Sequence, residues 1–206
     1  MRYWKAKSIK PGSKVGLVVV TYNQTNCLSS LIYALKAQTF NNFVAYIMHD
    51  GPWTLNAGSA ATAAIGDDSR FVKSNSETRA AKFGHNLRQP GFDMCLNSGC
   101  NWLGTMNADC WYAPIYLEWM LGAASAENSN FAYCNMIHSH KLWKPLKTEL
   151  KRGSIDAGGW IAHTDLISGT RWDTTGFAAD WEYVKKLKEK PYFKPTKVDG
   201  YIFTHN

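Results

Sequence analysis

The chain has 206 residues, of which 45% are apolar, 14% aromatic and 19% charged. This composition excludes a disordered chain, which would hold few aromatic residues, and the counts of 16 glycines and 7 prolines exclude a collagen-like chain. The net charge of +7 is typical of solvated helix faces and loops, or else indicates attraction to an anionic partner, without choosing between a phosphorylated small molecule, nucleic acid and lipid. A chain of this length is expected to form one domain with a sizeable core.

Three features of the sequence indicate where in the cell the protein is expected. The longest strongly apolar run, residues 15–20, is far shorter than the roughly 20 residues of a membrane-spanning helix, so no transmembrane segment is expected. The first eleven residues are charged and precede no apolar segment, which argues against a secretory signal. The five cysteines lack C-x-x-C spacing and favour reduced, buried thiols. We expect a cytoplasmic protein, with a peripheral position at a membrane surface as the alternative.

The first half of the chain alternates strand and helix patterns. An unbroken apolar, β-branched run predicts a buried strand at residues 15–21, and leucines and isoleucine at helical spacing predict a helix at 26–37. Further strands are predicted at 42–50, 70–73 and 101–106, and helical segments at 57–65, 92–97 and 114–124. This alternation is typical of an α/β domain with a doubly wound, mostly parallel sheet flanked by helices.

The second half has a different pattern but is expected to belong to the same domain and to close its site. Strands are predicted at residues 131–137, 160–163 and 197–204, and an amphipathic helix at 179–190. Residues 141–152 form a basic segment without regular periodicity, for which an irregular conformation is expected.

Polar clusters follow three of the predicted strands. In an open α/β sheet, ligands bind beyond the carboxyl ends of the strands, so these clusters predict one shared site. The sequence contains no P-loop, G-x-G-x-x-G, H-E-x-x-H or G-x-S-x-G motif, which excludes the site types that those motifs build. The three clusters are Thr21-Tyr22-Asn23, His49-Asp50-Gly51 and Asn107-Ala108-Asp109.

Taken in order, the motifs resemble those of family 2 glycosyltransferases with the GT-A fold. Residues 15–24 (VGLVVVTYNQ), 38–40 (QTF) and 49–51 (HDG) resemble the opening of that family. Residues 83–89 (FGHNLRQ) and 103–114 (LGTMNADCWYAP) are similar to a subset in which G-H-x-x-R-Q precedes an N/D-x-D motif. The resemblance implies a single GT-A domain over residues 1–206, with a nucleotide-binding half at about 15–125 and an acceptor-side half at about 126–206.

The resemblance implies an inverting, metal-dependent glycosyltransferase. Such an enzyme moves a sugar from a nucleoside-diphosphate sugar to the hydroxyl of a glycan, lipid or protein acceptor, with Mn²⁺ or Mg²⁺ on the diphosphate. His49, Asn107 and Ala179 depart from the family pattern. They leave open an alternative, a catalytically silent GT-A-like domain that binds a nucleotide or a polyanion. No nucleic-acid partner is expected, because no reader motif is present.

The resemblance also assigns the nucleotide site. Tyr22 and Asp50 have structural alternatives, as a core residue and a turn former respectively. Arg88 would present its planar fork to phosphate or base, or form a surface salt bridge, with His85 orienting it or capping a helix. An amide at Asn107 can bind a ribose hydroxyl but adds no charge. The nucleotide-binding candidates are Thr21, Tyr22, Asn23, Asp50, Arg88 and Asn107.

Metal and catalytic roles are implied for four residues. Asp109 would bind the cation, or else cap the following helix, and His205 would supply a further metal ligand. Asp180 matches the general base at the start of a late helix, where its alternative is a favourable interaction with the helix dipole. Glu182 is the substitute carboxylate.

Several other side chains are weaker candidates. His138 and His140 could bind zinc, but without a third ligand we favour a packing role. Trp160 or Trp181 could stack on a sugar ring, and Asp156 and Asp165 are further carboxylates.

Overall fold

The computed structural model describes residues 9–206. The expectation of no secretory signal rests mostly on residues 1–8, which lie outside this range. All five cysteines lie within it and are free, four of them buried, as the absence of C-x-x-C spacing predicted. None of the helices between residues 9 and 206 has both the length and the apolar character that crossing a bilayer requires.

Four parallel strands form the first half of the sheet. They are β1 (Val15–Thr21), β2 (Phe43–His49), β3 (Phe71–Asn75) and β4 (Trp102–Asn107), in the spatial order β3-β2-β1-β4. The chain returns between them through α1 (Thr25–Lys36), α2 (Leu55–Ile65) and α3 (His85–Asn97). The strand order reverses between β1 and β4, and such a switch point opens a crevice at the carboxyl ends of the strands.

The second half extends the sheet with mixed pairings. Strand β8 (Trp160–His163) runs antiparallel between β4 and β6 (Phe131–His138), and β9 (Pro195–His205) runs parallel to β6. Strand β5 (Trp111–Tyr112) pairs with the end of β9, and β7 (Lys144–Leu146) pairs with the end of β6. The helices of this half are α4 (Tyr116–Ala126), α5 (Thr164–Ile167) and α6 (Ala179–Lys188).

Hydrophobic cores cover both faces of the sheet. In β1, Val15, Leu17 and Val19 pack into the core on one face, and Val18 and Val20 pack into the core on the other. The first core contains the apolar faces of α1, α2 and α4, and the second contains those of α3 and α6. This arrangement explains why β1 is buried along its whole length and reads as a continuous apolar run.

The single α/β domain and its helix-flanked sheet agree with the prediction, and the differences are local. The irregular segment predicted at 141–152 contains β7, which owes its strand conformation to pairing with residues 136–138. Helix α3 begins at His85, seven residues before the predicted segment, and contains Pro90. The short elements β5 and α5 were not predicted, because elements this short carry no periodicity of their own.

Candidate active site

A cleft of about 840 Å³ opens at the carboxyl ends of β1 and β4. Its walls come from the ends of both sheet halves, from the loop between β3 and α3, and from the start of α6. Of the ten residues proposed from the sequence, eight line this cleft: Thr21, Tyr22, Asp50, Arg88, Asn107, Asp109, Asp180 and His205. A cleft of this size is in the range of small-molecule sites.

Asn23 and Glu182 are the two candidates outside the lining. Asn23 has φ = 52°, its backbone N–H donates to His49 Nε2 at 3.3 Å, and its side-chain oxygen accepts from Thr54 at 2.9 Å. Its contacts therefore hold the β1–α1 turn. Glu182 lies two residues beyond Asp180 on α6. Two residues of an α-helix span about 200° around its axis, so the Glu182 side chain points away from the face that carries Asp180.

One end of the cleft presents Thr21, Tyr22 and Asp50. The Thr21 hydroxyl is buried and has no hydrogen-bond partner in the structure, so it is free to bind a ligand. The Tyr22 ring is 39% exposed, and the guanidinium of Arg79 lies 3.7 Å from its centroid. Sequence analysis did not identify Arg79, because no motif marks the loop that carries it.

Asp50 is buried and anchors the loop between β3 and α3. Its two carboxylate oxygens accept hydrogen bonds from the backbone N–H groups of Ala80 at 2.9 Å and Ala81 at 2.8 Å. The carboxylate thus fixes the loop that carries Arg79 over Tyr22. His49, which precedes it, is fully buried, and its Nδ1 contacts the carbonyl of Gly51 at 2.8 Å.

Arg88 is buried beneath the floor of the cleft, not on the surface. Its guanidinium donates to Asn107 Oδ1 at 2.7 Å, to the Thr105 hydroxyl and to His85 Nδ1 at 3.3 Å. It also lies 5.0 Å from the centroid of the Trp172 ring. These contacts join the G-H-x-x-R-Q helix to the strand that ends in the N-x-D motif. The surface salt bridge considered for Arg88 is absent from residues 9–206.

His85 and Asp180 lie side by side on the wall next to Arg88. Burial, assisted by the charge of Arg88, lowers the pKa of His85 to about 4, so the imidazole is neutral at physiological pH. Its Nδ1 lies 3.8 Å from Asp180 Oδ1. The contact therefore joins a neutral ring to the carboxylate and is not an ion pair. His85 Nδ1 accepts from Arg88, which agrees with the orienting role considered for it, whereas the N-cap of α3 is Gly84 and not His85.

Asp180 is the second residue of α6, and its side chain is 20% exposed. Its Oδ2 accepts from the backbone N–H of Ala157 at 3.2 Å, whereas its Oδ1 has no hydrogen-bond partner among residues 9–206. Burial raises the pKa of Asp180 to about 6, and the negative charge of Asp156 adds to this rise while Arg88 opposes it. At neutral pH the carboxylate is ionised and retains an affinity for protons, as a general base requires.

Asp156 and His205 contact each other on the wall of the cleft, where Asp156 precedes Ala157, the residue that bonds Asp180. Asp156 Oδ1 accepts from the backbone N–H of Gly158 at 2.7 Å, and its Oδ2 lies 3.3 Å from His205 Nε2. The His205 ring stacks on His138 with centroids 4.4 Å apart, and its buried Nδ1 has no hydrogen-bond partner in the part of the chain that the structure describes. Asp156 was a minor candidate in the sequence, because it lies in a loop with no recognisable motif.

Asp109 reaches the same wall through β5. Its Oδ2 accepts from Gln24 at 3.2 Å. Because Trp111 pairs with Thr204, the end of β9 is brought beside residues 109 and 110, and Asp109 and His205 both line the cleft. Within residues 9–206, no three His, Cys, Asp or Glu side chains are arranged to hold a metal ion by themselves. Any cation bound here would therefore need ligands from its substrate or from water.

Of the two tryptophans considered for stacking on a sugar, one is buried in the core and the other lines the cleft. Trp160 is fully buried in the core against Phe131 and Tyr183, so it is not available to stack on a sugar. Trp181 is half-buried and lines the cleft. His138 and His140 also line it, with ring centroids 5.4 Å apart.

Solved structures share this fold at low sequence identity. S. aureus TarS, residues 1–349, superposes with a TM-score of 0.74 and 14% identity over 94% of this chain and 60% of that chain. The complex of the same TarS fragment with UDP-GlcNAc gives a TM-score of 0.75 and 14% identity over 93% of this chain and 58% of that chain. A mannosyltransferase from Pyrobaculum calidifontis, PcManGT, was solved in complex with GDP-Man and Mn²⁺. It superposes with a TM-score of 0.66 and 11% identity, over 96% of this chain and 58% of that chain.

These solved structures establish the GT-A-like fold, and this chain spans about 60% of the length of the TarS fragment. No curated protein matches the chain significantly in sequence. The profile of the family described as Glycosyl transferase family 2 matches residues 17–172, which is most of the chain. The chain therefore belongs to glycosyl transferase family 2.

Proposed function

We propose that this chain is an inverting, metal-dependent glycosyltransferase that uses a nucleoside-diphosphate sugar. The observation that carries the proposal is that Asp180, a carboxylate with a pKa raised to about 6, lines the same cleft as Asp109 and His205. A candidate base and two side chains of kinds that bind metal ions, a carboxylate and an imidazole, thus share one cleft large enough for a sugar nucleotide. Family membership supplies the reaction class.

The donor nucleotide would bind at the end of the cleft formed by Thr21, Tyr22 and Asp50. Thr21 offers a hydroxyl without a partner, and Tyr22 offers an exposed aromatic face. Arg79 supplies a positive charge beside them, suited to a base carbonyl or to phosphate. Asn23 would act indirectly, by holding the turn that carries Tyr22.

The residues present fit a divalent cation. Asp109 offers carboxylate oxygen, and His205 has a buried ring nitrogen without a partner. Mn²⁺ and Mg²⁺ accept such ligands and retain positions for phosphate and water. When bound, the cation would offset the negative charge of the departing diphosphate. Asn107, which is bonded to Arg88, would contribute through the donor ribose and not as a metal ligand.

Asp180 would accept the proton of the acceptor hydroxyl. As that O–H bond breaks, the acceptor oxygen forms a bond to the anomeric carbon, and the bond from that carbon to the diphosphate oxygen breaks. A single displacement of this kind inverts the anomeric configuration. Arg88 and His85 would act as positioning residues, because they contact Asn107 and Asp180 from the buried side.

The acceptor would enter from the side of the second sheet half, where Trp181, Phe177 and Arg152 line the cleft. We accordingly assign nucleotide binding to the half at about 15–125 and the acceptor to the half at about 126–206. The five free cysteines support a reducing compartment, and hence the cytoplasm.

The test combines donor binding with turnover. UDP-GlcNAc and GDP-Man, which are bound by TarS and PcManGT respectively, are the first donors to try, by calorimetry and by donor hydrolysis with and without Mn²⁺. We expect one donor to bind in a Mn²⁺-dependent manner and to be hydrolysed slowly. Binding without hydrolysis or transfer to any acceptor in a glycan, lipid and peptide panel would favour the catalytically silent alternative. Equal binding of unrelated polyanions would contradict a nucleotide site.

A further inference from the structure

An exposed apolar tip projects from the hairpin between β6 and β7. At this hairpin tip, defined as residues 139–147, Leu142 is 81% exposed and Trp143 is 58% exposed. The tip also carries three exposed lysines and no acidic residue: Lys141, Lys144 and Lys147. Two large apolar side chains are thus surrounded by positive charge.

The backbone of the tip is fixed in an unfavourable conformation. Leu142 and Trp143 have φ values of 56° and 58°, in the left-handed region where bulky side chains are uncommon and glycine or asparagine is usual. Two hydrogen bonds hold the turn, from the N–H of Leu142 to Ser139 O at 2.9 Å and from the N–H of Trp143 to His138 O at 3.1 Å. The two side chains therefore occupy strained positions without burial in either core, so folding stability does not explain their identity.

The chemistry of the tip matches the surface of an anionic lipid bilayer. Tryptophan is favoured at the level of the lipid headgroups, leucine inserts among the acyl chains, and lysine extends its charge to lipid phosphates. Each lysine near an anionic surface strengthens binding roughly fivefold at low salt. Two side chains are too few for a stable protein–protein interface, which buries about 1,200 Å² or more.

We propose that the hairpin tip docks the protein on anionic membranes, with Leu142 and Trp143 inserted at the headgroup boundary. The tip adjoins the cleft, because His138, His140 and Leu146 belong to the same hairpin and line it. Docking would therefore hold the acceptor side of the cleft close to the lipid surface. The proposal concerns binding alone and does not depend on the transferase activity.

The experiment is co-sedimentation with vesicles of phosphatidylcholine containing phosphatidylglycerol, compared with phosphatidylcholine alone. We expect binding to the anionic vesicles, a loss of at least tenfold in Leu142→Ser/Trp143→Ser, and a loss of up to roughly 100-fold in Lys141→Ala/Lys144→Ala/Lys147→Ala. Quenching of tryptophan fluorescence by brominated lipid should fall in Trp143→Phe.

Matched controls come from exposed residues elsewhere. Leu55 in α2 is 83% exposed, and Tyr33 in α1 is 58% exposed. The double variant Leu55→Ser/Tyr33→Ser therefore removes a similar area of apolar surface. Lys73→Ala/Lys185→Ala/Lys194→Ala removes the same charge. Both controls should bind vesicles as the wild type does.

Three outcomes would overturn the proposal. The first is the absence of wild-type binding to anionic vesicles. The second is binding that the control variants lose as much as the tip variants do. The third is a concentration-dependent dimer, seen by analytical ultracentrifugation, that Leu142→Ser/Trp143→Ser abolishes, which would make the tip a contact between two copies of the chain.

Discussion

The guanidinium of Arg88 donates a hydrogen bond to Asn107, with 2.7 Å between Nη2 and Oδ1. This bond joins the two motifs by which the chain resembles its family, the G-H-x-x-R-Q element and the N-x-D motif. Asn107 replaces the commoner aspartate of that motif, and its neutral oxygen is already held by a buried cation. Asp109 is consequently the member of the motif that remains available to a metal ion.

Replacing Arg88 with lysine should destabilise the fold. Lysine keeps the charge but cannot reach Asn107, Thr105 and His85 together, so we expect a loss of about 2–4 kcal/mol in the free energy of unfolding. Arg70→Lys is the matched control, since Arg70 is partly exposed, pairs with Asp68 at 2.7 Å and should lose about 1 kcal/mol or less. Denaturant unfolding measures both variants. Equal losses would contradict a special role for the buried guanidinium.

Asp180→Asn should abolish turnover and preserve donor binding. The amide keeps the shape of the side chain but cannot accept the acceptor's proton, so we expect a fall of about 10²–10⁴-fold in kcat. Glu182→Gln is the control: it lies on the same helix outside the cleft lining and should stay within a few-fold of the wild type. Steady-state kinetics and donor calorimetry on both variants test the assignment. If Glu182→Gln is the damaging change, the base has been misassigned.

The same substitution should stabilise the protein at high pH. Burial raises the pKa of Asp180 from 3.8 to about 6, so the folded state holds the proton more tightly than the unfolded state does. The contribution of protonated Asp180 to the free energy of unfolding is fully present below about pH 4 and is lost as the pH rises through 6. Asp180→Asn should therefore gain about 3 kcal/mol at pH 8 and little at pH 4. Urea unfolding at both pH values, with chelator present, measures the difference, and an equal gain at both values would refute the raised pKa.

Metal-dependent nucleotide binding should require both Asp109 and His205. Asp109→Ala and His205→Ala each remove one cation ligand, and we expect at least a tenfold loss of the Mn²⁺-dependent part of donor affinity, with metal-free binding unchanged. His163→Ala is the control, because His163 contacts Asp165 and does not line the cleft. Calorimetry with and without Mn²⁺ separates the two contributions. Retention of the Mn²⁺ effect in both variants would place the cation elsewhere.

Helical spacing predicts in part which face of α6 carries Asp180. Asp180, Tyr183, Val184 and Leu187 recur at intervals of three and four residues and share the face of α6 that packs on the sheet. Glu182 falls between them and points away. Trp181 is half-buried, packs against the core that contains α6 and also lines the cleft, while Tyr183 fills that core.

The sequence by itself determined the longer strands, the helices that connect them and the residues at the strand ends. These features depend on local periodicity and on the rule that parallel strands end at one edge of the sheet. It could not determine that Arg88 is buried, because its surroundings depend on how α3 packs against β1 and β4. Nor could it bring Asp156 and Arg79 to the cleft, because they lie in loops far apart in the chain. The raised pKa of Asp180 comes from its burial and from the charge of Asp156, and only the tertiary structure decides both, since they depend on distance in space and not along the sequence.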